Sequence, residues 1–386
     1  MKLILKITLL SALIFMNMFL ITGCWNYREI EKLSIVAGAA IDKEDDQYLM
    51  TVEIANLTGG KEAKVESKKV EAKGDTIFDA ARNVIKISGK KLYWSHVKVV
   101  IFSQEIAREG IIQAIDWFNR DAETRISTNL LISKEKTAKE LLEQQSITEE
   151  IRSFEMYDML TSQKSLSKAP RIAVYEFINA LAAQGKSAVL PAVGITVNEG
   201  QRIPELSGTA VFKEDRLIDF LDEEDTKYFL FIINKVRGGL LIEKVGTESS
   251  HTNITLEIFS DLTNTKIKPI YSNGKLTMKL DVYVTVSIGE IGGFENYINE
   301  PGRAKLKKDV EELLKDNIKR VIKKVQNDYG SDIFGFGSIV KEDMPYVWKD
   351  IEKDWEKIYK DLDVDVNVDV NITNSALVVK PVKKGD

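Results

Sequence analysis

The chain has 386 residues, 44% of them hydrophobic and 29% charged, which is enough for two or three domains with ordinary cores. A net charge of -5 argues against nucleic acid as the main partner. With one cysteine, Cys24, no internal disulfide can form, and two histidines, His96 and His251, leave too few ligands for a His/Cys zinc site.

Lys2 and Lys6 form a short basic n-region, and residues 7–21 are apolar except for Thr8, Ser11 and Asn17. That layout suits a secretory signal, and also an uncleaved anchor, since a spanning helix needs about 20 apolar residues. Cys24 decides between the two. Ile21-Thr22-Gly23-Cys24 has the pattern of a bacterial lipobox: an aliphatic residue, a small residue, glycine, then cysteine. The small residues fit a peptidase site, and the thiol takes a diacylglycerol through a thioether. Stable anchoring needs two acyl chains, each buried methylene contributing about 0.8 kcal/mol, and a diacylglycerol supplies both. A core cysteine would not stand beside a polar stretch such as Asn26-Tyr27-Arg28-Glu29. The sequence therefore predicts a signal peptide over residues 1–23 and a mature chain lipidated on Cys24, outside the cytoplasmic membrane.

Residues 33–42 and 48–56 read as paired strands around a polar turn, with 64–72 as a third strand. Residues 76–87 have helical spacing, with Asp75 or Thr76 as N-cap. A strand over 96–102, one helix over 104–119 and a strand over 125–133 follow. Helices are expected over 137–145, 149–161 and 173–184, then strands over 188–198 and 206–213. A helix over 223–236 is stopped by Gly238-Gly239. Long strands occupy 253–261 and 275–288, and Pro301 opens a long amphipathic helix. Its apolar stripe is Leu306, Val310, Leu313, Leu314, Val321, Ile322 and Val325. A glycine loop leads to a second helix carrying Trp348, Ile351, Trp355 and Ile358, and a last strand covers 364–372. Breaks near 135 and 238 divide the mature chain into an N-terminal α/β domain (24–134), a middle α/β domain (135–238) and a C-terminal sheet-plus-two-helix domain (239–386). The expected class is α+β or mixed α/β: three domains of mixed sheets with packed helices.

Four stretches invite a chemical reading. Residues 361–372, DLDVDVNVDVNI, alternate Asp and Asn as a calcium loop does, but lack its central glycine and closing glutamate. Val364, Val366, Val368, Val370 and Ile372 instead mark the buried face of a strand. Arg120, Asp121, Glu123 and Arg125 are the charges of an ion-paired turn between helix and strand. Ser95 and His96 are sequence neighbours, which on a strand point to opposite faces and cannot form a dyad. In residues 332–355, Gly335 and Gly337 free the backbone for a tight corner, Phe334 and Phe336 are available for burial, and Asp343 with Pro345 starts the next helix. The sequence holds no nucleophile elbow, HExxH helix, Walker loop or dinucleotide fingerprint.

A lipobox followed by CWNYREIEKLSIVAGAAID resembles the opening of the Ger(x)C family, the lipoprotein C subunits of spore germinant receptors. SHVKVVIFSQEIAREGI at 95–111, RDAETR at 120–125, SGTAVFKEDRLIDFL at 207–221, DIFGFG at 332–337 and PYVWKDIEKDW at 345–355 continue the likeness in the family's order. Two positions depart from it: Asn26 stands where the family has Asp, and Asp219 where it often has Gly. The resemblance implies a three-domain α/β lipoprotein tethered to the outer face of the spore inner membrane. It implies action with two integral-membrane partners, the A and B subunits, in nutrient-triggered germination. It implies no catalytic residue, cofactor or metal, and transfers a role to Cys24 alone. The competing reading is a solute-binding lipoprotein of a transporter, which shares the lipobox but folds as two similar α/β lobes.

Overall fold

A computed structural model describes residues 2–20, 32–58, 64–247, 250–291 and 297–373. Cys24 lies outside the described residues. Helix α1 (Lys2–Leu20) leaves Leu3, Ile4 and Leu9 exposed, and none of its described residues joins a core.

The first sheet begins with a meander of β1 (Leu33–Glu44), β2 (Gln47–Thr58) and β3 (Lys64–Gly74). Helix α2 (Ile77–Ser88) returns along β3, and Thr76 caps it by accepting from the Asp79 N–H at 3.1 Å. Next come β4 (Lys91–Tyr93), β5 (Val99–Phe102), α3 (Gln104–Glu109), α4 (Ile112–Arg120) and β6 (Asn129–Ser133). Then follow α5 (Lys139–Glu143), α6 (Arg152–Ser162), α7 (Val174–Ala182), β7 (Val189–Asn198), β8 (Gln201–Lys213) and β9 (Arg216–Leu221). The strand order is β3-β2-β1-β5-β6-β7-β8-β9, with β4 also on β1. β1, β5, β6 and β7 run parallel in the centre, and antiparallel strands close both sides. The central strands are buried on both faces, as parallel strands require. Val100, Phe102, Leu130 and Ile132 pack under α2, α3, α4 and α7, while Val99, Ile101 and Leu131 pack under α5 and α6.

This sheet runs across residue 135, because β6 and β7 on either side of it are parallel partners. Helix α8 (Glu223–Ile232) then leads to the second sheet, built from β10 (Leu240–Thr247), β11 (Ser250–Ile258), β12 (Asn264–Ser272), β13 (Lys275–Ile291) and, after a long excursion, β14 (Asp363–Ile372). That excursion holds α9 (Glu300–Lys324), α10 (Phe336–Asp343), α11 (Pro345–Ile351) and α12 (Trp355–Lys360). Helix α9 buries Leu306, Val310, Leu314, Val321 and Ile322 of the expected stripe, together with Ile318. The mixed sheets with packed helices expected from the sequence are what the chain forms.

Several local readings differ from the structure. The helix expected over 104–119 is two helices, because the Ile111 N–H leaves the helix to donate to the Asp215 carbonyl at 3.0 Å. The strand expected from residue 96 starts at Val99, after a 3-10 turn that buries Trp94 edge-on to Trp117. The helix expected to residue 236 ends at Ile232, just before Asn234 enters the left-handed region. β9, β10 and β12 take their strand form from cross-strand partners. Asp343 ends α10 and does not cap α11, whose N-cap is Met344.

Candidate functional site

The stretches singled out in the sequence are structural where the structure describes them. In the 120–125 turn, Arg120 pairs with Asp116 at 2.7 Å, and Asp121 accepts from the Glu123 N–H at 2.7 Å. Glu123 pairs with Lys91, and Arg125 is exposed at the start of the next turn. Ser95 donates to the Glu123 carbonyl at 3.1 Å, while His96 is exposed beside the Tyr93 ring, so the two form no dyad. The His251 side chain lies outside the described residues. Residues 363–372 form a parallel strand on β13, with Val366, Val370 and Ile372 buried and the Asp residues outward. Among the described residues, no group of three or more His, Cys, Asp or Glu side chains is placed to hold a metal.

Of the five carboxylates buried among the described residues, Asp332, Asp42, Glu53 and Asp225 each hold separate elements together. Asp332 is 5% exposed and accepts from the N–H groups of Gly335 (2.9 Å), Phe336 (3.1 Å) and Gly337 (2.8 Å). The Trp355 Nε1–H reaches the same carboxylate at 3.3 Å. Gly335 sits at φ +77, and a Cβ on Gly337 would meet Trp355 at 2.6 Å and Gly185 at 2.7 Å. This is the corner that the two glycines suggested, tied to the first sheet by Ser331 Oγ donating to the Phe212 carbonyl at 2.6 Å. Burial pushes the Asp332 pKa up to about 6, against the pull of its backbone donors.

Sequence reasoning missed the other three. Asp42, at the end of β1, accepts from the Ala138 and Lys139 N–H groups at 2.6 and 3.0 Å, and burial raises its pKa to about 6. Glu53, inside β2, accepts from the Arg152 N–H (3.0 Å), Ser153 N–H (2.8 Å), Ser153 Oγ (2.5 Å) and Ser67 Oγ (2.6 Å). Asp225 holds α8 to α9 through Arg320 and, at 2.6 Å, Lys324. Burial pushes its carboxyl up, but those two cations outweigh burial and hold it below the usual range. An acid inside an apolar strand run, as in TVEIAN or AAID, is the signal that could have found Glu53 and Asp42.

An open cleft of about 470 Å³ lies where Lys164 and Ser165 meet the start of β10 and the end of β11. Lys164, Arg237, Glu257 and Phe259 line it. Its size suits a small ligand, but among the described residues no unpartnered buried polar atom lines it.

Residues 26–195 match the family model of the spore germination protein N-terminal domain. Residues 207–376 match that of the spore germination B3/GerAC-like C-terminal domain. The chain belongs to the Ger(x)C family. Spore germination protein B3 of Bacillus subtilis (strain 168) is 25% identical to this Ger(x)C chain, covering 88% of it and 91% of B3. Spore germination protein KC of the same organism is 22% identical over 89% of each chain. Spore germination protein GerQC of Bacillus cereus is 26% identical over 82% of this chain and 86% of its own. The fold is similar to the crystal structure of the GerBC protein, with a TM-score of 0.57 and 21% identity over 87% of this chain and 97% of that one. A role in spore germination follows from the family.

Proposed function

We propose that this chain is the non-catalytic C subunit of a nutrient germinant receptor, held by a lipid on Cys24 at the outer face of the spore inner membrane. There it works with integral-membrane A and B subunits. The observation that carries the reading is continuity: both Ger(x)C domain matches fall in order on one chain, directly behind the lipobox Ile21-Thr22-Gly23-Cys24. Tethering raises the effective concentration at the membrane partners, so modest interfaces suffice. A transporter's solute-binding lipoprotein has two similar lobes, whereas here a wide mixed sheet is followed by a smaller one of different topology. Deleting the gene should abolish the fall in optical density of spores on nutrient addition and spare a trigger that bypasses nutrient receptors. Cys24→Ala should give the same loss, with the protein leaving the membrane fraction. A Cys24→Ala spore that germinates normally on nutrients with normal protein levels would sink the anchoring role.

A further inference from the structure

We propose that the Leu33 end of the first sheet rests on an anionic membrane surface, with Lys64, Lys68, Lys86 and Lys90 over the headgroups and Ile87 at their boundary with the acyl chains. The proposal rests on the Cys24 anchor above and adds the orientation in which the protein sits.

The pairing register brings these residues to one end of the sheet. Leu33, the first residue of β1, pairs with Lys91 of β4. Ile35 is opposite Ala55, Ala55 is opposite Ser67, and Leu57 is opposite Val65 in the row beyond. The start of β3 therefore lies beside the start of β1. Helix α2 ends only three residues before Lys91, so its last turn and Lys90 lie at the same end. Lys64, Lys68, Lys86 and Lys90 are all exposed there. Ile87 is 65% exposed and Val65 39%, so neither side chain is spent on the core.

Charge marks the corner of this end where β3, the last turn of α2 and β4 meet. The chain as a whole carries -5, yet residues 86–91 hold three lysines and no acid, and residues 64–69 hold three lysines against one glutamate. Lys91 is only half-exposed, against Glu123, and is left out of the patch. The Leu33 end carries acids across the sheet, Glu214 and Asp215 in the β8–β9 turn, away from this corner, and the opposite end turns through Asp45 and Asp46 and through Glu199. Basic residues around an exposed apolar side chain match an anionic lipid surface, whose attraction fades within a Debye length of about 8–10 Å. The tether keeps the patch near that range. Nine peptide steps separate Cys24 from Leu33. They span about 30 Å fully extended, and about 17 Å on average as a flexible chain.

The test uses the full lipidated chain, in which Cys24 is the only native cysteine. Ile87→Cys and Val197→Cys each take one dye; Val197 is 68% exposed at the far end of β7. Vesicles contain phosphatidylcholine alone or with phosphatidylglycerol, plus a lipid spin-labelled at its headgroup. On the mixed vesicles, the dye at 87 should be quenched several-fold more than the dye at 197. High salt should shrink that difference, as should joint reversal of Lys64, Lys68, Lys86 and Lys90 to Glu, with the melting temperature as the folding control. Equal quenching at both positions, or a difference untouched by charge reversal, overturns the proposal. Mass spectrometry separates failure of the anchor, which would leave Cys24 without lipid. The unlipidated chain is then floated with the mixed vesicles. Salt-sensitive flotation lost on charge reversal keeps the patch, and no flotation overturns it.

Discussion

At the scale of single residues, the buried acids set stability. Asp332→Ala would leave the Phe336 and Gly337 N–H groups and the Trp355 Nε1–H without their acceptor, and the Gly335 N–H with only its long 3.4 Å bond to the carbonyl of residue 332. Unsatisfied buried donors cost roughly 1–3 kcal/mol each, so a loss of at least about 3 kcal/mol is expected in urea unfolding. Asp42 and Asp332 also give the protein a pH signature. Their folded pKa of about 6 lies above the ordinary 3.8, so between those values the folded state holds more protons than the unfolded one. Stability therefore falls as pH rises through that window. Unfolding at pH 5 and pH 7 should differ by about 1 kcal/mol for each group, in favour of pH 5. Asp42→Asn should remove its share of that difference. Asp225 has the opposite sign: its carboxyl is depressed, so its contribution is present above 3.8 and is lost as pH falls below it. Little of this was legible in the sequence, because a charged letter in an apolar run does not show which N–H groups will meet it. The Asp332 corner was half legible: the glycines marked a turn, and only the structure shows the carboxylate inside it.

At the scale of elements, two carboxylates from the first hairpin cap helices far along the chain. Glu53 reaches the first N–H groups of α6, and Asp42 those at the start of α5. Neither helix carries its own side-chain cap, since Ala138 and Ile151 stand at the N-cap positions. A sequence window around α6 holds no trace of a partner 100 residues away. Glu53→Ala should free the start of α6 while the strands persist. Hydrogen exchange should show faster amide exchange over 152–156 than over β5 and β6. Equal exchange in both regions would mean that the cap is not needed. Elements with strong internal periodicity were legible: α9 through its stripe, β14 through its alternate valines, α2 through its cap. Elements that owe their form to partners were not. β9, β10 and β12 are strands because a neighbouring strand satisfies their backbone, and α3 and α4 part because Asp215 captures the N–H of Ile111.

At the scale of the whole molecule, one sheet binds residues 33–221 into a unit in which Asp42 and Glu53 reach across residue 135. Residues 33–134 expressed alone should therefore lack a cooperative melting transition, whereas residues 33–221 should show one by circular dichroism. The division near 135 was read from composition, and composition does not register that β6 and β7 become neighbours. The second sheet is completed differently. β13 takes β14 as its parallel neighbour only after residues 292–362 have been laid down. At about 5–20 residues per second, a ribosome needs on the order of 4–16 s to make that excursion and the strand that ends it. For that interval the edge of β13 that will receive β14 is a strand without its partner, open to pairing with the wrong chain. The outward aspartates of β14 add charge to that edge once the strand arrives, and nothing in β14 can protect it before then.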